Sequence, residues 1–322
     1  MQEQLTYVIT GGLGSFGSSL TAHLLKNTNH KIRVFDRSEA KMERMMKVHP
    51  PDERLTFILG DIRDRDRLTT AFYGADVIVH AASLKVVRMS QTHTQEFFKT
   101  VILGTFNAIE AAIDNKDTVK KFLLISTDKA CQSISPYGSF KSSAEWLTTA
   151  ANMHGHGIKF ASVRGGNIWA SRGSVLENWL SDNPILVTDP NITRFHLPME
   201  LWLAFCLSAI DEMHGGEIFI PQCYAWRLGD LATAFREVYR DKELKYTGSR
   251  SGDKSHETLV SIHEANKTVD IGWAYVIEPS DDTRKVWNYT PHIGTKIIGA
   301  VESNNAIRLT IDELRTLIFS TF

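Results

Sequence analysis

The chain has 322 residues, 43% of them hydrophobic and 23% charged, with a formal net charge of −1. That is ordinary globular composition, enough for one large domain or two interleaved ones, with no basic excess to recruit nucleic acid or an anionic membrane surface. Three cysteines (Cys131, Cys206, Cys223) give neither a disulfide framework nor zinc-ligand spacing, so no metal is expected. The N-terminus runs straight into a strand without a signal-peptide pattern, and the longest apolar patch, near 201–210, is too short to span a bilayer. A cytoplasmic protein with no membrane partner is the expectation.

Leu5–Thr10 reads as a short apolar strand, followed at once by Gly11-Gly12-Leu13-Gly14-Ser15-Phe16-Gly17 and an amphipathic helix from Ser18 to about Lys26. Glycines let the backbone turn tightly and approach a pyrophosphate, which then rests on the unpaired N–H groups of the helix start. A strand before and a helix after give the motif its weight. A nucleotide cofactor is therefore expected on Gly11, Gly14, Ser15, Phe16 and Gly17. The second strand, Lys31–Phe35, ends in Asp36-Arg37-Ser38, about 20 residues past the glycines, where a dinucleotide's ribose lies. Asp36 suits the ribose hydroxyls of NAD, whereas Arg37, Ser38 and Lys41 suit the 2′-phosphate of NADP. The residues alone leave that choice open.

Leu55–Leu59 precedes Gly60-Asp61-Ile62, where Asp61 can reach an adenine amino group and Ile62 stands beside it. Val77–Ala82 is another strand, whose end places Ala81 and Ala82 at the cofactor. Helices are expected at Asp66–Tyr73, Thr94–Asn115 and Tyr137–Met153, and strands at Phe122–Ile125 and Lys159–Val163. This alternation predicts an α/β fold, a doubly wound parallel Rossmann sheet of about seven strands over residues 1–165, rejoined by 196–240. After Arg164 come loop-like segments carrying Asn167, Arg172, Arg194, Arg250 and Lys254. Residues 166–195 and 241–322 are expected to form a smaller substrate domain, because gathered arginines recognise a diphosphate or a uracil. Thr310, with Glu313 three residues on, caps a C-terminal helix.

Ser126-Thr127-Asp128-Lys129 follows the Phe122–Ile125 strand, so its polar groups sit at a strand's C-terminal end, where open α/β sheets place their ligands. Tyr137 and Lys141 are four apart at a helix start and share a face. An ammonium beneath a phenol stabilises phenolate and lowers a pKa that starts near ~10, which suits proton abstraction from an alcohol. Cys131, inside the same stretch, reads as packing.

Taken together these residues resemble an extended short-chain dehydrogenase/reductase and, more narrowly, the inverting UDP-N-acetylglucosamine 4,6-dehydratases of polysaccharide biosynthesis. The resemblance covers nearly the whole chain and is carried by ITGGLGSFG, GDIRDRDRL, HAASLK, STDKA, YGSFK, RGGNI, TDPNITRF and GSRSGDKSHE. Thr-Asp-Lys is its most specific item: retaining relatives carry Thr-Asp-Glu, and epimerases lack the acid–base pair. It implies that Tyr137, aided by Lys141, takes the 4-hydroxyl proton while hydride leaves C4 for the nicotinamide, with Thr127 on that oxygen. It further implies Lys129 as the base at C5, Asp128 as the acid for the departing 6-hydroxyl, and hydride return to C6 with inversion at C5.

By the same resemblance Lys85 reaches the sugar or the nicotinamide, and Asn167, Arg172, Arg194 and Arg250 hold the UDP moiety. It also implies NADP as cofactor, through Arg37, and a homo-oligomer of hexameric form. This chain departs from the family pattern at Val101 (usually Asn), at Val86-Val87-Arg88 (His-Val-Pro) and at Gly165 (Tyr). Lys129 as a base must be neutral, which costs about 4–5 kcal/mol at pH 7. Burial, Lys141 and the charge of an oxidised nicotinamide are the expected sources of that shift. The competing readings are an NDP-sugar 4-epimerase, which needs Tyr137 but no Asp128/Lys129 pair, and a non-catalytic NAD(P)-binding regulator on the same fold.

Overall fold

Short apolar runs bounded by turn residues become the strands of the main sheet. In the computed structural model, which describes residues 3–49, 51–154, 157–181, 184–248 and 252–322, these are β1 (Thr6–Thr10), β2 (Lys31–Asp36), β3 (Leu55–Leu59), β4 (Val77–His80), β5 (Lys121–Thr127), β6 (Lys159–Gly165) and β7 (Ile218–Pro221). They run parallel in the spatial order β3-β2-β1-β4-β5-β6-β7. Side chains alternate between two apolar layers with the period of two that a strand imposes. Tyr7 and Ile9 enter one layer and Val8 the other; Leu123 opposes Phe122 and Leu124 in the same way. Both faces are buried, as a parallel sheet requires. Leu20 and Leu24 of the helix Ser15–Asn27 and Trp202 and Phe205 of Met199–Glu212 cover the first. Leu68, Phe97, Ala108 and Ala144 belong to the layer on the other.

The first helix begins at Ser15, with Gly14 as its N-cap, rather than at Ser18. Gly17 therefore lies inside it. A Cβ there would stand 2.5 Å from the Gly12 Cα, so the absence of a side chain is what lets the helix close onto its own loop.

Three short antiparallel strands continue the sheet past β7: β8 (Thr268–Asp270), β9 (Ala274–Ile277) and β10 (Thr295–Lys296), with β9 on β7, then β8, then β10. A second sheet joins Asn167–Ile168, Thr193–Leu197 and Tyr224–Arg227. Beside it a separate core gathers Trp179, Phe235 of the helix Leu228–Val238, and Leu314 and Ile318 of the C-terminal helix Ile311–Thr321. That last helix opens with the expected capping box, Thr310 and Glu313 each bonding back to the other. Two segments thus cross the expected boundaries: 228–238 packs with the C-terminal helix, and 268–296 completes the main sheet. The exposed edge of β7 accounts for the second, since an unpaired strand edge is covered most cheaply by a nearby hairpin. Among the described residues no helix is long and apolar enough to cross a membrane.

Candidate active site

The order of the strands reverses at β1, between β2 and β4, and the carboxyl edge there is where this sheet type leaves a crevice. At its floor Gly11 has φ +65°, and a Cβ would lie 2.6 Å from the Ala82 Cα, so only glycine fits. Asp36, closing β2, accepts the Leu13 N–H at 3.2 Å on one oxygen and the Ser38 N–H at 3.0 Å on the other. Its carboxylate thereby ties the glycine loop to the next turn. Arg37, half exposed, stands 3.7 Å from Asp61, which Arg63 holds at 2.7 Å. Ser38 is the N-cap of the helix Glu39–Val48, which carries the exposed Lys41. Phe16 and Ile62 face inward, Phe16 against Trp202 at 6.3 Å between ring centroids and Ile62 against Gly104.

Cations crowd the same loop. The Arg172 guanidinium donates to the Leu13 carbonyl at 2.8 Å and to Ser15 Oγ at 3.4 Å, and Lys85 Nζ donates to the Arg172 carbonyl. Burial, and then the charges of Arg172 and Lys41, hold the Lys85 ammonium below its ordinary pKa despite the opposing pull of Glu177. That repulsion is what a bound phosphate would relieve. Glycines that admit close backbone approach, a free helix start at Gly14 and this cationic rim fit a dinucleotide.

Thr127 ends β5, and Asp128 and Lys129 follow it in a single 3₁₀ turn. The helix Pro136–Ala150, capped by Ser135, docks directly on that turn: a Cβ on Gly138 would be 2.2 Å from the Lys129 carbonyl. Tyr137 is thereby pressed into the site, its ring edge-on to Phe97 at 6.3 Å, its N–H on Ser90 Oγ at 3.2 Å and its phenol hydrogen-bonded to Thr127. Burial pushes the phenol up to about 12; the Lys129 ammonium and the Thr127 bond pull against it, and the Asp128 charge adds to it. Lys141 donates to the Ile125 carbonyl at 2.6 Å, and burial brings it down to about 8 against the pull of Glu145. The ammonium whose charge pulls the phenol down in this structure is that of Lys129, while the Lys141 ammonium donates to the Ile125 carbonyl.

Asp128 is buried. Its Oδ1 accepts from Thr127 Oγ1 at 3.0 Å and Lys129 Nζ at 3.1 Å, while Oδ2 has no hydrogen-bond partner among the described residues. Lys129 Nζ also lies 3.1 Å from Oε1 of Glu257, a buried carboxylate that Arg194 Nε approaches at 3.7 Å and Lys254 Nζ at 4.0 Å. Burial raises Asp128, with Glu257 adding, more than Lys129 lowers it. Burial would lower Lys129, but Asp128 and Glu257 together carry it above its ordinary value. Glu257 stays below the ordinary range because Lys129 and Arg194 outweigh its own burial. The resting site therefore holds a lysine ammonium between two acids, of which Asp128 is the one biased toward its neutral form. Of the expected sources of a neutral Lys129 amine, burial acts in the expected direction and is outweighed by the two carboxylates. Glu257, the second of these, was missed; its one signal was its place at the end of GSRSGDKSHE.

Of the residues expected to hold UDP, Asn167 and Arg194 lie on paired strands of the second sheet, with Asn167 opposite His196. Arg172 lies on the glycine loop, and Arg194 is buried in the Glu257 cluster, donating to the Thr193 carbonyl at 2.7 Å. Asn167 Oδ1 is buried without a partner among the described residues, and Arg250 lies outside the described residues. Gly165 is explained by Trp202, whose indole carbons would stand 2.8 Å from a Cβ there. Behind the site a second ion cluster joins Arg164 to Glu145 at 2.7 Å and Glu264 at 2.9 Å, with Ser126 Oγ on Glu145 at 2.5 Å. Cys131 donates to Glu264 at 3.3 Å, and burial pushes its thiol up to about 12, in line with packing rather than nucleophilic attack.

Residues 7–279 match the family described as polysaccharide biosynthesis protein. A UDP-glucose 4-epimerase of Rickettsia felis is 35% identical over 331 aligned residues, covering 98% of this chain and 95% of its own. A UDP-N-acetylglucosamine 4,6-dehydratase (inverting) of Campylobacter jejuni is 37% identical over 282 residues, covering 85% and 82%. Among solved structures, Pen from Bacillus thuringiensis superposes with a TM-score of 0.89 at 29% identity over 99% of both chains. With a glycine-cradled crevice beside a Thr-Asp-Lys/Tyr/Lys constellation and relatives matched over nearly its full length, the chain belongs to the polysaccharide biosynthesis protein family, alongside inverting sugar-nucleotide dehydratases and UDP-glucose 4-epimerases.

Proposed function

We propose that the protein is a 4,6-dehydratase of a UDP-hexosamine, UDP-N-acetylglucosamine or a close analogue, yielding a 4-keto-6-deoxy product inverted at C5. The observation that carries this reading is Asp128: a buried carboxyl biased toward its protonated form, with one oxygen left unpaired among the described residues, beside a lysine. Epimerisation at C4 has no use for such an acid. Elimination of the 6-hydroxyl does, because hydroxide is a poor leaving group until a proton reaches it.

A nicotinamide dinucleotide, when bound, would accept the hydride from C4, return it to C6 after water is lost, and supply a positive charge near the phenol. Its residues here are Gly11, Gly14 and Gly17 for the pyrophosphate, Lys85 and Arg172 as counter-charges, and Lys141 behind the site. Tyr137 receives the 4-hydroxyl proton while Thr127 holds the same oxygen. The C4 carbonyl acidifies the C5 hydrogen, which Lys129 removes once its own proton has gone. Asp128 gives its proton to the 6-hydroxyl, which departs as water. NADP is the proposed form of the cofactor: both Asp36 oxygens are engaged by backbone N–H groups, and the half-exposed Arg37 is free to turn from Asp61 to a 2′-phosphate.

A 4-epimerase is the second reading, favoured by the Rickettsia felis relative. Incubation with UDP-N-acetylglucosamine and with UDP-glucose, followed by mass and proton-NMR analysis, separates the two. Loss of water with a new C6 methyl signal is the expected outcome. An isomer of unchanged mass would replace this reading by the epimerase.

A further inference from the structure

Lys129 cannot remove the C5 hydrogen while it carries its own proton, and the geometry gives that proton a destination. Lys129 Nζ meets two carboxylate oxygens at 3.1 Å each, Asp128 Oδ1 and Glu257 Oε1. Asp128 is needed as the acid at the 6-hydroxyl, so a proton parked there in exchange would gain nothing. Glu257 comes from the other side of the site, immediately before the strand Thr258–Val260, and is fixed by its N–H on Ser303 Oγ at 2.9 Å. It lines the same cleft as Lys129, Ser135 and Lys254.

We infer that Glu257 is the proton-holding partner of Lys129, taking the ammonium proton onto Oε1 so that the neutral amine can act at C5. This rests on the dehydratase reading above. In the step an N–H bond of Lys129 breaks and an O–H bond of Glu257 forms; the pair passes from ammonium and carboxylate to amine and carboxylic acid, with no net change in charge. The amine then takes the C5 proton, and the C–H electron pair moves into the C5–C6 bond as the protonated 6-hydroxyl leaves. Glu257 acts through Lys129 and is a positioning residue rather than a catalytic one. Its neighbours set the resting pair on the ammonium–carboxylate side: Asp128 and Glu257 hold Lys129 protonated, and Arg194 and Lys254, both facing Glu257, keep that carboxylate charged, so the transfer waits for substrate to alter the balance.

The test compares wild type, Glu257→Gln and Glu257→Asp with UDP-N-acetylglucosamine in deuterated water, from about pH 6.5 to about pH 10. Three readouts are followed: nicotinamide absorbance for the C4 step, deuterium at C5, and water loss by mass. In Glu257→Gln the C4 step is expected to persist within about threefold, while C5 exchange and water loss fall about 100-fold near neutrality. With one carboxylate gone, Lys129 binds its proton less tightly, so the lost activity should climb with pH, up to about tenfold per unit, as the amine forms directly. Glu257→Asp should recover part of the neutral-pH rate. Two results overturn the assignment alone: a Glu257→Gln enzyme that eliminates water at the wild-type rate, or one slowed equally in both steps at every pH. A wild type that oxidises C4 but never loses water overturns the dehydratase reading itself, and the assignment with it.

Discussion

Two buried ion clusters flank β5 and β6, and they are built to opposite rules. Around Arg164 the oxygens of Glu145 and Glu264 are shared out among the guanidinium, Ser126, Ser261 and Cys131, and Arg164 also reaches the Leu259 carbonyl at 2.8 Å. Around Lys129, Asp128 Oδ2 and Glu257 Oε2 have no hydrogen-bond partner among the described residues. A buried polar atom left unpaired costs stability, on the order of 1–3 kcal/mol. The satisfied cluster therefore fastens the helix Pro136–Ala150 and the Ser261–Ala265 turn to β6. The unsatisfied one holds capacity in reserve for a substrate.

The contrast is broken most forcefully at Arg164. Arg164→Leu strands Glu145 and Glu264 in the interior and should cost about 3–5 kcal/mol in urea unfolding at neutral pH. Next comes acid. Arg164 holds Glu264 down at about 2, from an ordinary 4.5, with its side chain 22% exposed. A carboxyl depressed in the folded state lends stability that is complete above about pH 4.5 and drains away as pH falls toward about 2. The gap between wild type and Glu264→Gln should shrink from at most about 3 kcal/mol at pH 7 to near zero at about pH 2.

The active-site cluster should respond with the opposite sign. Asp128 is raised in the folded state, so it favours the fold when protonated and weighs against it as pH rises. Asp128→Asn is expected to stabilise by on the order of 1 kcal/mol, more at pH 8 than at pH 5, while slowing water loss about 10²–10⁴-fold. A destabilised Asp128→Asn protein at pH 8 would mean that the two clusters do not differ as described. The smallest effect is outside both: Arg37→Ala should weaken NADP up to about fivefold in a binding titration and leave NAD unchanged.

How much of this was legible beforehand follows from the range over which each signal acts. The parallel strands and the glycine loop announce themselves through local periodicity and turn chemistry, so β1 to β6 were readable, as was the pairing of Tyr137 with the Thr-Asp-Lys turn. The hairpin β8–β9 was not, because three-residue and four-residue strands carry no period. The second carboxylate against Lys129 was unreadable for a similar reason: Glu257 is remote in the chain, and only the fold sets their 3.1 Å contact. Arg172 and Arg194 could be named as ligand residues by type and by resemblance, but not told apart. One crosses to the glycine loop, and the other is consumed by a neighbouring carboxylate.

The long helix ahead of β5 is interrupted by a π-helical turn at Phe98–Leu103, directly after Phe97 and with Val101 buried within it. Such a turn holds about one residue more than an α-helical turn. Chain length here is thus part of the active site in a way no side chain is. Deleting a single residue between Phe98 and Leu103 would let the helix run regularly and swing Phe97 by about 100° about the axis, away from the Tyr137 ring it now meets edge-on. Insertions and deletions, rather than substitutions, are the changes this stretch can least absorb.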